Sequence, residues 1–126
     1  LKEGKKIYFA SDIHLGLPNH EISLRREKHF VNWLNTIRQD ASEIYLVGDI
    51  FDFWVDHKKV APRGFTRFLG TIADIVDNGI PVHFFTGNHD IWMYDYLPEE
   101  LGITLHRKEL IIERNNKRIF IAHGDG

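Results

Sequence analysis

Apolar residues along this chain gather in short runs, separated by segments in which they recur every three or four positions. Lys6–Ala10 (KIYFA), Glu43–Val47 (EIYLV) and Pro81–Thr86 (PVHFFT) are rich in β-branched and aromatic residues. Their near-continuous apolarity predicts strands buried on both faces, as in a parallel sheet. Between the first two runs, Phe30, Leu34 and Ile37 share one helical face within Leu24–Arg38, with Ser23 as the candidate N-cap. Between the second and third, Phe65, Phe68, Leu69, Ile72, Ile75 and Val76 keep helical spacing within Gly64–Asp77. Asn78-Gly79 ends that helix, and Pro81 prevents it from resuming. The pattern is βαβαβ. After Leu97-Pro98 it changes. Glu109–Glu113 and Arg118–Ala122 flank Asn115-Asn116, residues that tolerate positive φ, which predicts a hairpin. The expected class is α/β, turning antiparallel at its end.

Four of these runs finish alike. IYFASDIH delivers Asp12 and His14, and IYLVGDIFD delivers Asp49 and Asp52. VHFFTGNHD delivers Asn88, His89 and Asp90, while IFIAHGD delivers His123 and Asp125. If the strands share a sheet and a direction, the four loops meet at its carboxyl edge, where open α/β sheets place ligands. One aspartate after a strand is ordinarily a helix cap or turn residue. Four endings, all in oxygen or imidazole donors, are hard to explain as turns. Gly48, Gly87 and Gly124 suit loops that need unusual φ or a close backbone approach to an anion.

Composition narrows the chemistry. The 126 residues give room for one domain with a single core, and the formal charge of −2 leaves no electrostatic footprint for nucleic acid. An anionic substrate would therefore need a local positive charge, such as a metal ion. The absence of cysteine rules out disulfides and thiolate zinc sites. Carboxylate, amide oxygen and neutral imidazole suit a pair of divalent ions, Mn²⁺ first and Fe²⁺ or Zn²⁺ as alternatives. Two ions about 3.5–4 Å apart polarise a phosphoryl group and supply a nucleophile from water. No apolar run is long enough to cross a bilayer as a helix.

The ordered motifs DIH (Asp12–His14), GDIFD (Gly48–Asp52), GNHD (Gly87–Asp90) and HGD (His123–Asp125) resemble those of the calcineurin-like metallophosphoesterases. The resemblance runs from Ile7 to Gly126. It implies a four-layer α-β-β-α sandwich of two sheets flanked by helices, of which this chain would form the N-terminal part. It assigns Asp12 and His14 to one metal and Asn88 and His123 to the other, with Asp49 bridging. His89 would contact substrate phosphate or assist the leaving group. Asp52, Asp90 and Asp125 would support the ligands. The family's closing Gly-His-x-His, one histidine for each metal, has no counterpart here. Residues 1–126 are therefore expected to be a single domain that lacks a C-terminal segment.

The flanking stretches YLVGDIFDFW (Tyr45–Trp54), NGIPVHFFTGN (Asn78–Asn88) and LGITL (Leu101–Leu105) resemble, more narrowly, the pyrophosphohydrolases that cleave UDP-2,3-diacylglucosamine in lipid A synthesis. Many of those carry arginine where this chain has His89. The resemblance implies UMP and 2,3-diacylglucosamine 1-phosphate as products. It also implies a bacterial cytoplasmic enzyme in peripheral contact with the inner membrane. A phosphatase or phosphodiesterase with another substrate is the alternative, and a non-catalytic binding module is the reading from another class. Phe51, Phe53, Trp54, Trp92, Met93, Tyr94 and Tyr96 are either core beneath the loops or an apolar wall for acyl chains. Arg25, Arg26, Lys58, Lys59 and Arg63 are read as solvated charge, or as contacts for a diphosphate or anionic lipid. His20, His29, His83 and His106 default to surface or core roles, and His57 is kept as a weak substrate contact.

Overall fold

The three predicted apolar runs lie side by side. The computed structural model describes residues 4–16, 19–51, 65–85, 98, 101–114 and 116–122. Strands β1 (Lys6–Ala10), β2 (Ala41–Val47) and β3 (Val82–Phe85) form a parallel sheet in that order. A fourth strand, β4 (Thr104–His106), extends it beyond β3 in the same direction. Three residues are too few to show a period, so the hydropathy pattern passes over β4. Helix α1 (His20–Ile37) connects β1 to β2, and α2 (Thr66–Asp77) falls between β2 and β3. The last two strands, β5 (Leu110–Arg114) and β6 (Lys117–Ile121), pair antiparallel as a separate two-stranded sheet. Arg114 opposes Lys117, so the predicted hairpin closes through a two-residue loop, with Asn116 at φ +65°. Asn115 lies outside the described residues.

Alternation along the strands sorts their side chains into two cores. Ile44, Leu46, Val82 and Phe84 face the helices and pack with Phe30, Leu34, Phe68, Ile72 and Ile75. Tyr45 and Phe85 face the other way, against Ile112 and Ile121 of the hairpin. The layers are therefore helices, parallel sheet and hairpin, in keeping with the expected N-terminal part of a sandwich. Ile111 and Phe120, opposite each other in the hairpin register, are 53% and 64% exposed on its outer side. Phe51 is fully buried and stacks 6.1 Å from Phe84, which settles that aromatic as core. Phe53, Trp54, Trp92, Met93, Tyr94 and Tyr96 lie outside the described residues, as do His57, Lys58, Lys59 and Arg63.

Both helices begin differently from the pattern's expectation. Helix α1 starts four residues before Leu24, and its N-cap is Asn19 rather than Ser23. The Asn19 side chain accepts a hydrogen bond from the Ile22 amide at 3.0 Å, with Asn19 itself extended. Helix α2 starts at Thr66, behind Phe65 at φ +59°, and that N-cap side chain makes no capping bond. The cap comes instead from the other helix. Glu27, only 3% exposed, accepts a hydrogen bond from the Phe68 amide at 2.9 Å. Phe30 and Phe68 stack at 5.5 Å between the same two helices, and Arg38 pairs with Asp74 at 2.7 Å. The end of α2 is as predicted: the Asn78 amide bonds to the Asp74 carbonyl, and Gly79 takes φ +92°.

A polar cluster joins the sheet to the hairpin. Arg114 of β5 donates from Nε and Nη2 to Glu43 of β2, at 2.8 and 2.7 Å, and Tyr45 donates to the same carboxylate at 3.1 Å. Beside them His83 Nδ1 and His106 Nε2 share a hydrogen bond of 3.0 Å between β3 and β4. The Arg114 hydrogen bonds hold the Glu43 carboxyl below the usual carboxylate range, against the opposing effect of burial. Burial, helped by the Glu43 charge, pushes the Tyr45 phenol up to about 12. Burial lowers both imidazoles, and for His83 the neighbouring His106 adds to it while Glu43 opposes. His83 and His106 are thus part of an internal network, the core rather than the surface role.

Candidate metal centre

Strands β1 and β2 run parallel, so the loops that follow them leave the sheet at the same edge. There the two loops stay hydrogen-bonded to one another. The amides of Asp12, His14 and Leu15 donate to the carbonyls of Gly48, Asp49 and Ile50, at 3.2, 3.0 and 2.8 Å. A further parallel bridge pairs Leu15 with Phe51, and both side chains are fully buried. The apolar residues that follow each motif thus anchor the loops from below.

This pairing brings together three of the five predicted ligands. One donor atom from each of Asp12, His14 and Asp49 lies within 4.8 Å of the other two. Asp49 is 5% exposed, whereas Asp12 is open to solvent and His14 half-buried. His14 Nε2 stands 3.7 Å from Asp12 Oδ1, and Ser11 donates to the other Asp12 oxygen at 3.0 Å. Two carboxylates and an imidazole are a donor set for a borderline or hard divalent cation, so these residues fit the metal chemistry expected of them. Asn88, His89 and His123 lie outside the described residues, as do Asp52, Asp90 and Asp125. Strand β3 is parallel to β2 and ends at the same sheet edge. Strand β6, which leads toward His123, belongs to the hairpin sheet instead. Three of the four runs therefore share one sheet and direction.

All three clustered residues sit in the left-handed region, Asp12 at φ +57°, His14 at +52° and Asp49 at +52°. Gly48, before Asp49, takes φ +77°, as its position suggested. Left-handed backbone costs a non-glycine residue on the order of 1–2 kcal/mol. Such conformations persist where surrounding contacts over-determine them, commonly at functional sites.

Helix α1 braces this loop from the side. The Ser23 hydroxyl accepts a hydrogen bond from the Gly16 amide at 2.7 Å. Arg26 Nη1 donates to the His14 carbonyl at 3.2 Å and reaches the Ile13 carbonyl at 3.5 Å. Neither contact was anticipated. For Ser23 the available signal was its helical spacing with Phe30 and Leu34, which puts a polar residue on the buried stripe; Arg26 carried no such signal. Arg25, by contrast, is exposed and pairs with Glu21 at 3.7 Å.

Comparison with known proteins identifies one family. The model of the calcineurin-like phosphoesterase family matches residues 5–126. A UDP-2,3-diacylglucosamine hydrolase of Porphyromonas gingivalis is 48% identical over 95% of this chain and 46% of its own length. The protein of the same name from Vibrio parahaemolyticus is 31% identical over 93% of this chain and 46% of its own. The chain thus spans about half the length of the curated relatives it matches. A crystal structure of an Aquifex aeolicus protein of unknown function shares the fold, with TM-score 0.57 and 23% identity over 93% of this chain and 59% of that one. With the family's motifs in order, and its sheet edge gathering Asp12, His14 and Asp49, the chain belongs to the calcineurin-like phosphoesterases.

Proposed function

We propose that the protein hydrolyses a phosphoester with two divalent metal ions, Mn²⁺ in the first instance. Its substrate would be UDP-2,3-diacylglucosamine, cleaved at the diphosphate to UMP and 2,3-diacylglucosamine 1-phosphate. The observation that carries the reading is the convergence of the Asp12, His14 and Asp49 donor atoms within 4.8 Å at the carboxyl edge of a parallel sheet. The names of the Porphyromonas and Vibrio relatives support the substrate. Asp12 and His14 would hold one ion, Asn88 and His123 the other, and Asp49 both. When bound, such ions provide Lewis acidity toward a phosphoryl oxygen and a water nucleophile at neutral pH. Buried Asp49 would be shared between the ions, and His89 would meet the phosphate or the leaving group. A downstream segment carrying Gly-His-x-His would complete both ligand sets, in line with the greater length of the relatives. Among the described residues no helix is long and apolar enough to cross a membrane. Peripheral contact at the cytoplasmic face of a bacterial inner membrane would bring the enzyme to its lipid.

The test is metal content and hydrolysis, measured with and without the downstream reading frame. Asp49→Ala should lower the content of both ions and weaken Mn²⁺ binding by more than the roughly 100-fold typical of an outer partner. His89→Ala should leave metal content near normal and slow turnover by about 10²–10⁴-fold. Loss of a single ion in Asp49→Ala would reject the bridging role. Turnover of simple phosphodiesters, with none of the UDP-linked lipid, would reject the substrate.

A further inference from the structure

The loop from Ser11 to Gly16 carries two left-handed non-glycine residues, Asp12 and His14, with one residue between them. Such a backbone relaxes unless it is held on both sides. On one side the carbonyls of Gly48, Asp49 and Ile50 hold it. On the other side stands α1, and two of its residues one turn apart reach the loop. Ser23, 5% exposed, takes the Gly16 amide at 2.7 Å. Arg26 gives Nη1 to the carbonyl of His14, the peptide unit next to the imidazole, at 3.2 Å. A hydrogen bond from a guanidinium is charge-assisted, and stronger than one between neutral groups.

We infer that Ser23 and Arg26 are positioning residues for the metal centre, fixing the Asp12–His14 backbone from the helix so that both donor atoms stay directed at Asp49. The inference rests on the reading that Asp12, His14 and Asp49 bind a divalent cation. Arg26 is then neither a solvated charge nor a contact for a diphosphate or anionic lipid, the roles read from its sequence position. Ser23, whose residue type reads as a helix cap, is free for this work because Asn19 caps α1. Without the two bonds the loop keeps its residues and loses its preorganisation, and the ion must then order the loop as it binds.

The experiment titrates Mn²⁺ alone into the full chain, following free Mn²⁺ by electron paramagnetic resonance. Urea midpoints are measured in chelator alongside. Arg26→Gln and Ser23→Ala should weaken Mn²⁺ binding by about 10–100-fold, the usual effect of removing an outer partner, with midpoints close to the parent's. Arg26→Lys should recover part of the loss, since it keeps the charge and a donor but not the planar fork. Arg25→Gln should bind like the parent. Exchange of the Gly16 amide with deuterium should quicken in Ser23→Ala. Mn²⁺ affinity within about twofold of the parent in both Arg26→Gln and Ser23→Ala overturns the inference. So does an affinity loss that tracks a falling urea midpoint with no rescue by lysine, or a defect confined to KM for substrate. Asp49→Ala separates the two levels: if the parent binds no more Mn²⁺ than this variant, the metal reading itself fails and the inference falls with it.

Discussion

Asp12, His14 and Asp49 present their donor atoms from backbone that most side chains avoid, so at these positions the proposed ligand role and the conformation pull in opposite directions. Glycine tolerates left-handed φ without penalty but loses more entropy on folding. His14→Gly should therefore match or exceed the parent's stability in chelator by up to about 1 kcal/mol, while His14→Ala keeps the strain. Urea unfolding measures this, and a loss above about 1 kcal/mol in the glycine variant would show that φ +52° is not a burden. The identities of all three residues were legible from the chain, because each follows an apolar run. Their φ values were not. Hydropathy marks where a strand stops but carries no information about the turn that follows, and apart from glycine only asparagine and aspartate hint at positive φ by their type.

Among the elements, α2 depends on a neighbour for its start. Phe68 is almost fully buried, so its amide has no water to turn to if Glu27 is removed. Glu27→Ala should cost about 1–3 kcal/mol, the penalty for an unsatisfied buried donor, and Glu27→Gln distinctly less because an acceptor remains. Equal urea midpoints for the parent and Glu27→Ala would dismiss the cross-helix cap. The two helices and three of the four parallel strands could be read from periodicity, which reflects burial of one face or two. Their first residues could not. Asn19 and Ser23 are both capping types, and residue type does not distinguish Asn19, which caps α1, from Ser23, which takes the Gly16 amide. Equally, nothing local to Thr66 indicates that its cap lies 41 residues upstream of Phe68.

Across the whole molecule, the parallel sheet and the hairpin meet through the Glu43, Arg114, Tyr45, His83 and His106 cluster. Both imidazoles are held below the ordinary histidine value of 6.5. The unfolded chain therefore takes up protons first on acidification, and between 6.5 and the folded values it binds more of them. Stability should be at its full value above that window and fall as pH drops through it, by no more than about 1.4 kcal/mol per pH unit for each histidine. Glu43, with its pKa depressed below 4.5, adds a second loss in stronger acid. Urea midpoints between about pH 7.5 and 5.5 should show the first decline in the parent and a shallower one in His106→Gln. An equal decline in both would remove the imidazole pair from the account. The class, the sheet and the hairpin were readable in the sequence, yet this join was not. Glu43 and Arg114 stand 71 positions apart, and no local pattern links residues that meet only when two sheets stack.

The row of carbonyls at Gly48, Asp49 and Ile50, answered in order by the amides of Asp12, His14 and Leu15, acts as a ruler. Substitution can alter what stands along it, but adding or deleting a residue between Asp12 and His14 would slide the later marks by one. His14 would then lose its place opposite Asp49, and the buried Leu15 would lose its place beside Phe51. A change of length in this stretch should therefore be tolerated less well than a change of residue at the positions that Asp12 and His14, the proposed ligands, leave open.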